Sequence, residues 1–124
     1  MVSSRSWVPD RRDVIWIDCS PHAGGEMRDC HPFLVLSPAE FNARTALVIG
    51  LPMTTAEYNA TNPFAVPAGS AGGKNKGKNS YVLCHQPKSF DWRVRNAAPH
   101  PTKQLAAEFF DEVCVVLNQI VQLA

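Results

Sequence analysis

The stretch GGEMRDCHPFLVLSP, residues 24–38, passes directly from a polar segment into a run of apolar residues. Its paired glycines exclude regular structure and predict a loop over residues 20–29. The apolar run PFLVLS, residues 32–37, predicts a buried strand, and Pro32 is tolerated at its first position because a missing N–H costs least there. The loop therefore brings charged and polar side chains directly against the core.

Two further apolar stretches predict neighbours for this strand. DVIWIDC, residues 13–19, is apolar on both sides of its alternation, which is typical of a central strand. ALVIGLP, residues 46–52, predicts a third strand. Between them, SPAEFNAR, residues 37–44, predicts a short helical turn with Ser37 as its cap and Pro38 at the first helical position.

The second half of the chain predicts three more strands, a loop and a helix. The strands are residues 64–66, 80–84 and 88–94, and residues 67–79, with four glycines and three lysines, predict a flexible loop. After the break NAAPHP, Thr102 is the expected N-cap of a helix. Its apolar residues recur every three or four positions and form one stripe, made of Leu105, Phe109, Val113, Val116, Ile120 and Leu123 and widened by Phe110, Leu117 and Val121.

Six short strands and one C-terminal helix predict a mainly β domain of the α+β class, a small, partly closed antiparallel barrel. A length of 124 residues supports one domain, residues 1–124, and its extra apolar surface favours a dimer. No apolar run is long enough to cross a bilayer and the polar N-terminus is unlike a signal peptide, so we expect a cytoplasmic protein. The four cysteines are then expected to be reduced thiols.

Charge is distributed unevenly along the chain. The net charge is only +1, but residues 59–107 carry seven lysines and arginines against one acid, Asp91. A concentrated basic segment can offer a local track to a polyanion, although a lysine-rich loop that only keeps the surface soluble explains the composition equally well.

No metal-binding or nucleotide-binding motif is present in the sequence. Cys19, His22, Cys30 and His31 have no spacing that lets them converge on zinc, and the loop GSAGGKNKGK lacks the ending of a phosphate-binding loop. We therefore expect no metal ion or cofactor. What remains is a set of polar residues near predicted strand ends: Glu26, Arg28, His31, Thr54, Thr55, His85, Gln86 and Lys88.

If these residues converge, they suit RNA cleavage without a metal ion. A histidine can remove a proton from the 2′-hydroxyl or give one to the leaving 5′-oxygen near neutral pH. Arg28 can bind phosphate oxygens through paired N–H donors, and Thr54 can add a hydroxyl donor. The structural alternative is that Thr54 and Thr55 only end a strand through side-chain to backbone bonds, and that each histidine is a packed or surface residue.

The order of these blocks resembles the MazF/PemK (Kid-like) toxins of bacterial toxin–antitoxin pairs. The resemblance extends from about Pro9 to Leu123 and is carried by VPDRRDVIWIDCSP, GGEMRDCHPFLVLSPAEFN, LPMTT, NPFAV and QPKSFDWRVR. It implies an SH3-like barrel, a homodimer, metal-independent cleavage of single-stranded RNA, and a MazE/PemI-like antitoxin peptide that lies across the RNA groove. Operator DNA is then a further partner, reached through the antitoxin.

The resemblance also assigns site residues, with two departures. Glu26 matches the acidic residue of the family loop, and Thr54 matches the catalytic threonine. His31 stands before Pro32, where the family has a catalytic arginine, and His85 stands before Gln-Pro, where the Kid-like branch has an aspartate.

Two interpretations of these departures follow. In the first, which we favour, His31 and His85 divide the acid and base roles, and Arg28 supplies the missing positive charge. In the second, cleavage is lost and the chain binds antitoxin or nucleic acid only. The remaining basic and polar residues are expected to bind the RNA backbone; they are Thr55, Lys74, Lys76, Lys78, Gln86, Lys88 and Arg93.

Phe90 and Trp92 could stack on bases, but their alternation favours the core. A CcdB-like gyrase poison is a further alternative of the same fold type, and the C-terminal IVQLA lacks the tail expected for it.

Overall fold

An antiparallel sheet of seven strands organises the protein in the computed structural model, which describes residues 7–19, 30–70 and 77–122. The strands are β1 (Asp13–Asp18), β2 (Cys30–Val35), β3 (Leu47–Thr54), β4 (Ala65–Ser70), β5 (Asn79–Leu83), β6 (Lys88–Asp91) and β7 (Ala98–Gln104). The helices are α1 (Ala39–Thr45), a 3-10 helix (Glu57–Thr61) and α2 (Ala107–Ile120). This mainly β sheet with a C-terminal helix confirms the predicted fold class.

β3 connects the parts of the sheet because it pairs with β2, β5 and β6. The strand order is β4-β5-β3-β2-β1-β7, and β6 pairs with the first half of β3 while β5 pairs with its last two residues. Gly50 lies where β2 approaches β3, opposite Val35. A Cβ atom built on Gly50 would lie 2.0 Å from the backbone oxygen of Leu34, so this close approach requires glycine.

The two faces of the sheet carry separate buried clusters. Val14, Leu34 and Leu51 belong to one cluster, whereas Ile15 and Phe33 belong to the other. Because successive strand residues point to opposite faces, β1 and β2 each contribute to both clusters. This confirms the prediction that residues 13–19 contain a strand that is apolar on both sides.

Helix α2 covers one of these clusters. Phe110 and Val113 are buried against it, and the partly buried stripe residues Phe109, Val116 and Leu117 pack beside them. Ile120 and Val121 are about two-fifths exposed, at 38% and 41%. Leu123 lies outside the described residues.

The start of this helix was predicted wrongly. Residues up to Gln104 form β7, which pairs with the edge of β1, and α2 follows at Ala107 rather than after a Thr102 cap. Prolines at positions 99 and 101 are tolerated because β7 is an edge strand. The sheet therefore has seven strands and not six.

Other boundaries also differ from the predictions. The fourth strand continues to Ser70, so the expected loop 67–79 begins as a strand, and residues 71–76 lie outside the described part. The sixth strand ends at Asp91, because its carboxylate accepts the N–H groups of Arg93 and Val94 and closes a turn.

The cap of the first helix is a further correction. Ser37 does not cap α1, since its hydroxyl donates to the Asn42 side chain over 2.6 Å. In the described ranges, no helix has the length and apolar content needed to cross a membrane.

Candidate functional site

β2 begins and β3 ends at the same point of the sheet. The paired part of β2 and β3 ends at Phe33 and Pro52, and His31 and Thr54 each lie two residues beyond that pair. His31 is exposed and Thr54 is partly buried. With Met53, they line two separate cavities, and we call this group the junction.

The first cavity, which we call the aromatic cavity, has a volume of about 330 Å³. Among the described residues, its wall carries no lysine, arginine or carboxylate. Its other lining residues are Trp16, Cys30, Pro32, Thr55, Ala68, Ser70, Ser80, His100, Thr102 and Leu105. Of the predicted site residues, Thr55 joins His31 and Thr54 here.

The second cavity, which we call the basic cavity, has a volume of about 370 Å³ and carries two cations, Lys88 and Arg95. The Arg95 guanidinium lies 4.7 Å from the centroid of the Phe90 ring and donates to the backbone oxygen of Asp18 over 3.0 Å. Its remaining lining residues are Cys19, Pro52, Leu83, Gln86 and Phe90. A cavity that carries a guanidinium and an ammonium group suits an anionic oxygen.

The Thr54 hydroxyl has a defined position. Its oxygen accepts the backbone N–H of Ala56 over 3.1 Å, which is the side-chain to backbone bond of the structural alternative. A hydroxyl has one donor and two acceptor positions, so this bond orients the oxygen and leaves its hydrogen available to donate. Thr54 can therefore end its strand and still offer a donor to a phosphate.

Sequence reasoning missed His100. It lies on β7, is buried at 6% exposure, and its ring centroid is 4.6 Å from that of Trp16. Its Nδ1 accepts the backbone N–H of Thr102 over 3.0 Å, and burial lowers the pKa of the ring. Because residues 98–104 were not predicted as a strand, nothing in the sequence paired this histidine with β1.

The second predicted histidine lies elsewhere. His85 is exposed in the turn after β5, with its ring centroid 6.1 Å from that of Phe64, and it lines neither cavity. The neighbouring Gln86 lines the basic cavity, and its side-chain nitrogen lies 3.4 Å from Nε2 of His85. The structure thus brings His31 and Thr54 together but not His85.

Two predicted backbone contacts also lie away from the cavities. Arg93 packs over the Trp92 ring at 4.9 Å and donates to the backbone oxygen of Ala43 near α1. Lys78 is exposed just before β5 and lines neither cavity. Trp92 itself is buried, as its alternation predicted. Glu26, Arg28, Lys74 and Lys76 lie outside the described residues.

The cysteines near the junction are free thiols. Burial raises the pKa of Cys19 to about 11, so this thiol stays protonated at neutral pH. Cys30 is exposed as a residue, but partial burial of its thiol, and to a lesser extent the nearby Asp18 carboxylate, raises its pKa as well. Within residues 7–19, 30–70 and 77–122, no three histidine, cysteine or acidic side chains are grouped to hold a metal ion.

Known proteins resemble this chain over most of its length. The model of the PemK-like, MazF-like toxins of type II toxin–antitoxin systems matches residues 10–121. The endoribonuclease toxin MazF of Escherichia coli K12 is 33% identical over 96 residues, 77% of this chain and 80% of that protein. The endoribonuclease PemK of Escherichia coli is 34% identical over 86 residues, 68% of this chain and 62% of that protein.

Solved structures agree with these matches. The MazE–MazF crystal structure (Form II) from Deinococcus radiodurans has a TM-score of 0.75 and 28% identity, and covers 96% of this chain and 100% of that chain. An endoribonuclease in complex with its cognate antitoxin, from a mycobacterial species, has a TM-score of 0.63 at 18% identity and shows the shared fold alone. The gyrase-poison alternative is not favoured by any of these relatives.

Proposed function

Because the chain belongs to the family of PemK-like, MazF-like toxins of type II toxin–antitoxin systems, we propose that it is a growth-arresting toxin and an endoribonuclease. Its substrate is single-stranded RNA, including messenger RNA, and it needs no metal ion. The observation that carries the proposal is the junction, where His31 and Thr54 line both cavities and two cations stand in one of them.

The chemistry follows from the donors and acceptors at this junction. One histidine of the pair His31 and His85 takes the proton of a 2′-hydroxyl, and the 2′-oxygen attacks the adjacent phosphorus. The bond to the 5′-oxygen breaks as the other histidine gives that oxygen a proton. The Thr54 hydroxyl donates to a phosphate oxygen whose charge grows in the transition state. Lys88 and Arg95 hold the neighbouring phosphates in the basic cavity. The products are a 2′,3′-cyclic phosphate and a 5′-hydroxyl.

We propose for His85 and Arg28 the same roles as in the sequence analysis, proton transfer and positive charge. His85 is the proposed partner of His31 in proton transfer; it does not line the basic cavity itself, but it precedes Gln86, which does. Arg28 replaces the positive charge of the family arginine. Which histidine acts as acid and which as base is tested by separate variants, because coupled groups give a pH–rate profile that belongs to the pair.

The test uses a long single-stranded RNA in EDTA, with mapping of the cut ends and their phosphates. We expect discrete cuts with 2′,3′-cyclic phosphates from the wild-type protein, and a loss of at least about 100-fold in the His31→Ala variant. His31→Arg keeps a polar, positively charged side chain but stays protonated near neutral pH, so it is expected to lose cleavage, which separates proton transfer from a purely electrostatic or structural role. Arg93→Ala is the matched control, because Arg93 lies near α1.

Intact RNA from a folded wild-type protein would overturn the proposal and support the second interpretation, a lapsed enzyme that only binds. A His31→Ala variant that cuts at the wild-type rate would remove His31 from the mechanism. Growth arrest on expression, relieved by co-expression of a MazE/PemI-like antitoxin, tests the toxin role independently.

The partners we propose are a MazE/PemI-like antitoxin, a second copy of this chain, and operator DNA reached through the antitoxin. An antitoxin segment that enters the basic cavity would exclude RNA from Lys88 and Arg95. In line with an RNA substrate, we propose that the protein acts in the cytoplasm.

An apolar surface supports the homodimer. It surrounds a cavity of about 510 Å³ between β3 and α2, where Ile49 and Val121 are 39% and 41% exposed. Large exposed apolar side chains that lie together mark interaction surfaces. Ile49→Glu is expected to yield a monomer in light scattering, whereas the exposed control Val94→Glu is expected to remain a dimer.

A further inference from the structure

The aromatic cavity has a wall that the proposed cleavage chemistry does not use. Besides His31 and Thr54, its wall includes Trp16, Ser80 and His100, together with further apolar and hydroxyl-bearing residues. These three residues come from β1, β5 and β7, so only the folded sheet brings them together. The aromatic cavity borders the proposed cleavage site, but the described part of its wall carries no charge for a phosphate, so we ask which other ligand it could bind.

Two buried polar groups of this wall have no hydrogen-bond partner in the described part of the chain. Ser80 is 7% exposed and its hydroxyl contacts no donor or acceptor there. His100 is 6% exposed, and its Nε2 atom likewise has no protein partner among those residues. Because buried polar groups in folded proteins are normally paired, two such groups in one cavity wall point to a polar ligand.

The hydrogen bond at Nδ1 decides what His100 can do for that ligand. The backbone N–H of Thr102 donates to Nδ1 over 3.0 Å, so the neutral ring carries its proton on Nε2. Burial lowers the pKa of His100 and keeps the ring neutral at pH 7. A neutral imidazole in this tautomer can donate from Nε2, but it has no vacant basic nitrogen to accept a proton from a 2′-hydroxyl. The group therefore suits recognition and not proton transfer.

Trp16 supplies the second half of a recognition site. Its ring centroid lies 4.6 Å from that of His100, with the two planes inclined by 40°, and Trp16 is only partly buried. Aromatic faces of this kind bind unstacked bases of single-stranded RNA. The cavity volume of about 330 Å³ leaves room for one base.

We propose that the aromatic cavity binds one unstacked base of the RNA next to the cleaved phosphate, and that His100 Nε2–H donates to a carbonyl oxygen of that base. Ser80 provides a second hydrogen-bonding group, and Trp16 provides the stacking face. This inference rests on the proposed function, because it takes RNA as the ligand of the junction. His100 is a specificity-determining residue in this assignment.

A chemical preference follows from the donor on Nε2. At the position of the base-pairing edge where guanine and uracil carry a carbonyl oxygen, O6 and O4 respectively, adenine carries an amino group. A donor against a donor leaves both groups unpaired. The enzyme should therefore disfavour adenine at one fixed position beside the cleaved bond.

The experiment uses four synthetic RNAs that contain one cleavage site and differ only in the base at one position beside it. The wild-type protein is expected to cleave the adenine version about tenfold more slowly than the best carbonyl-bearing version, the loss expected for one unpaired buried group. His100→Ala and Ser80→Ala are expected to reduce this ratio toward one, mainly by raising KM for the carbonyl-bearing RNA. His100→Gln has an amide donor and is expected to restore part of the preference.

The control is Glu108→Ala, an exposed change on α2 that should leave the ratio unchanged. Thermal unfolding of each variant shows whether it is folded. Should His100→Ala misfold, Ser80→Ala makes the same test.

The outcomes separate this inference from the proposed function. Cleavage by the wild-type protein with a base preference that neither His100→Ala nor Ser80→Ala changes would overturn the inference and leave the proposed function intact. An equal loss of rate on all four RNAs, or weakened antitoxin binding alone, would overturn it as well. If the wild-type protein cuts no RNA, the proposed function fails, and equilibrium binding of the same four RNAs decides whether the cavity still selects a base.

Discussion

The aromatic and basic cavities differ in charge, although they share one pair of strands. Trp16 and Pro32 contribute to the aromatic cavity, whereas Cys19 and Pro52 contribute to the basic one. Because strand residues alternate between faces, β1, β2 and β3 send different side chains to each side of the sheet. Among the described residues, His31, Met53 and Thr54, at the strand ends, are the ones that line both cavities.

This difference suggests how one small sheet can bind two chemically different parts of a nucleotide. Lys88 and Arg95 make one cavity suitable for phosphate, and the absence of charge from the described wall of the other makes it suitable for a base. The bond to be cleaved lies between these two parts of a nucleotide. The junction is therefore where acid–base and donor groups are needed.

The largest expected effect is on stability, and it comes from the close approach of β2 and β3 at Gly50, because both cavities are lined by residues of these two strands. Gly50→Ala would put a Cβ atom 2.0 Å from the Leu34 backbone oxygen and 2.7 Å from the Phe33 ring, so β2 and β3 would have to separate. We expect a loss of more than about 4 kcal/mol in the free energy of unfolding. Urea denaturation measures it.

Gly77→Ala is the control for this prediction. Its Cβ atom would meet nothing within 4 Å, but its φ of +92° disfavours a side chain, and we expect a smaller loss of about 1–2 kcal/mol. Equal losses in the two variants would show that β2 and β3 can separate without cost at Gly50.

The next effect concerns the junction itself. Thr54→Val keeps the shape of the side chain but removes the O–H donor, and we expect kcat to fall about 100-fold. The same change removes the acceptor of the Ala56 N–H, with a stability cost of about 1 kcal/mol. Thr54→Ser keeps both functions and should retain most of the activity in a single-turnover assay. A fully active Thr54→Val enzyme would leave Thr54 with its strand-ending role only.

A smaller effect, on the salt dependence of RNA binding, distinguishes Lys88 in the basic cavity from Arg93 beside α1. Lys88→Ala should weaken binding of all RNA sequences similarly and reduce the slope of log affinity against log salt concentration by about 1. Arg93→Ala should leave that slope unchanged, because Arg93 packs on Trp92 and binds Ala43. Fluorescence anisotropy over a salt series measures both. A reduced slope for Arg93→Ala and an unchanged slope for Lys88→Ala would indicate that the RNA backbone binds beside α1 and not in the basic cavity.

The smallest effect is a pH dependence of stability from His100. Burial lowers its pKa in the folded protein below the ordinary 6.5, so the unfolded chain binds more protons as pH falls below about 6.5. Stability should therefore decrease as pH falls through the window between 6.5 and the lower folded pKa. His100→Gln should remove this component, as thermal unfolding between pH 5 and 7 would show, whereas an unchanged pH dependence would contradict it.

Much of the fold follows from local patterns. The alternation in residues 13–19 and 32–37 predicts β1 and β2, and the repeating apolar positions predict α2, because side-chain direction in a strand or helix depends only on nearby residues. The strand β7 could not be predicted in this way. Its two prolines argue against a strand, and only the free edge of β1 makes that strand favourable.

The candidate site divides in the same manner. The blocks around Pro32, Thr54 and Gln86 identify the family and point to His31, Thr54 and Lys88, which the sheet then brings to adjoining cavities. Sequence reasoning also grouped Arg93 with these residues, and the turn after Asp91 directs it toward α1 instead.

The sequence by itself determined the class of the fold, the family, and the residue types available for chemistry, because these are local or ordered along the chain. The tertiary structure decided which residues meet. Trp16, Ser80 and His100 are distant in sequence, and a common wall for them requires the pairing of β1 with β7 and of β3 with β5. Pairing and register depend on partners far along the chain, and no local pattern contains them.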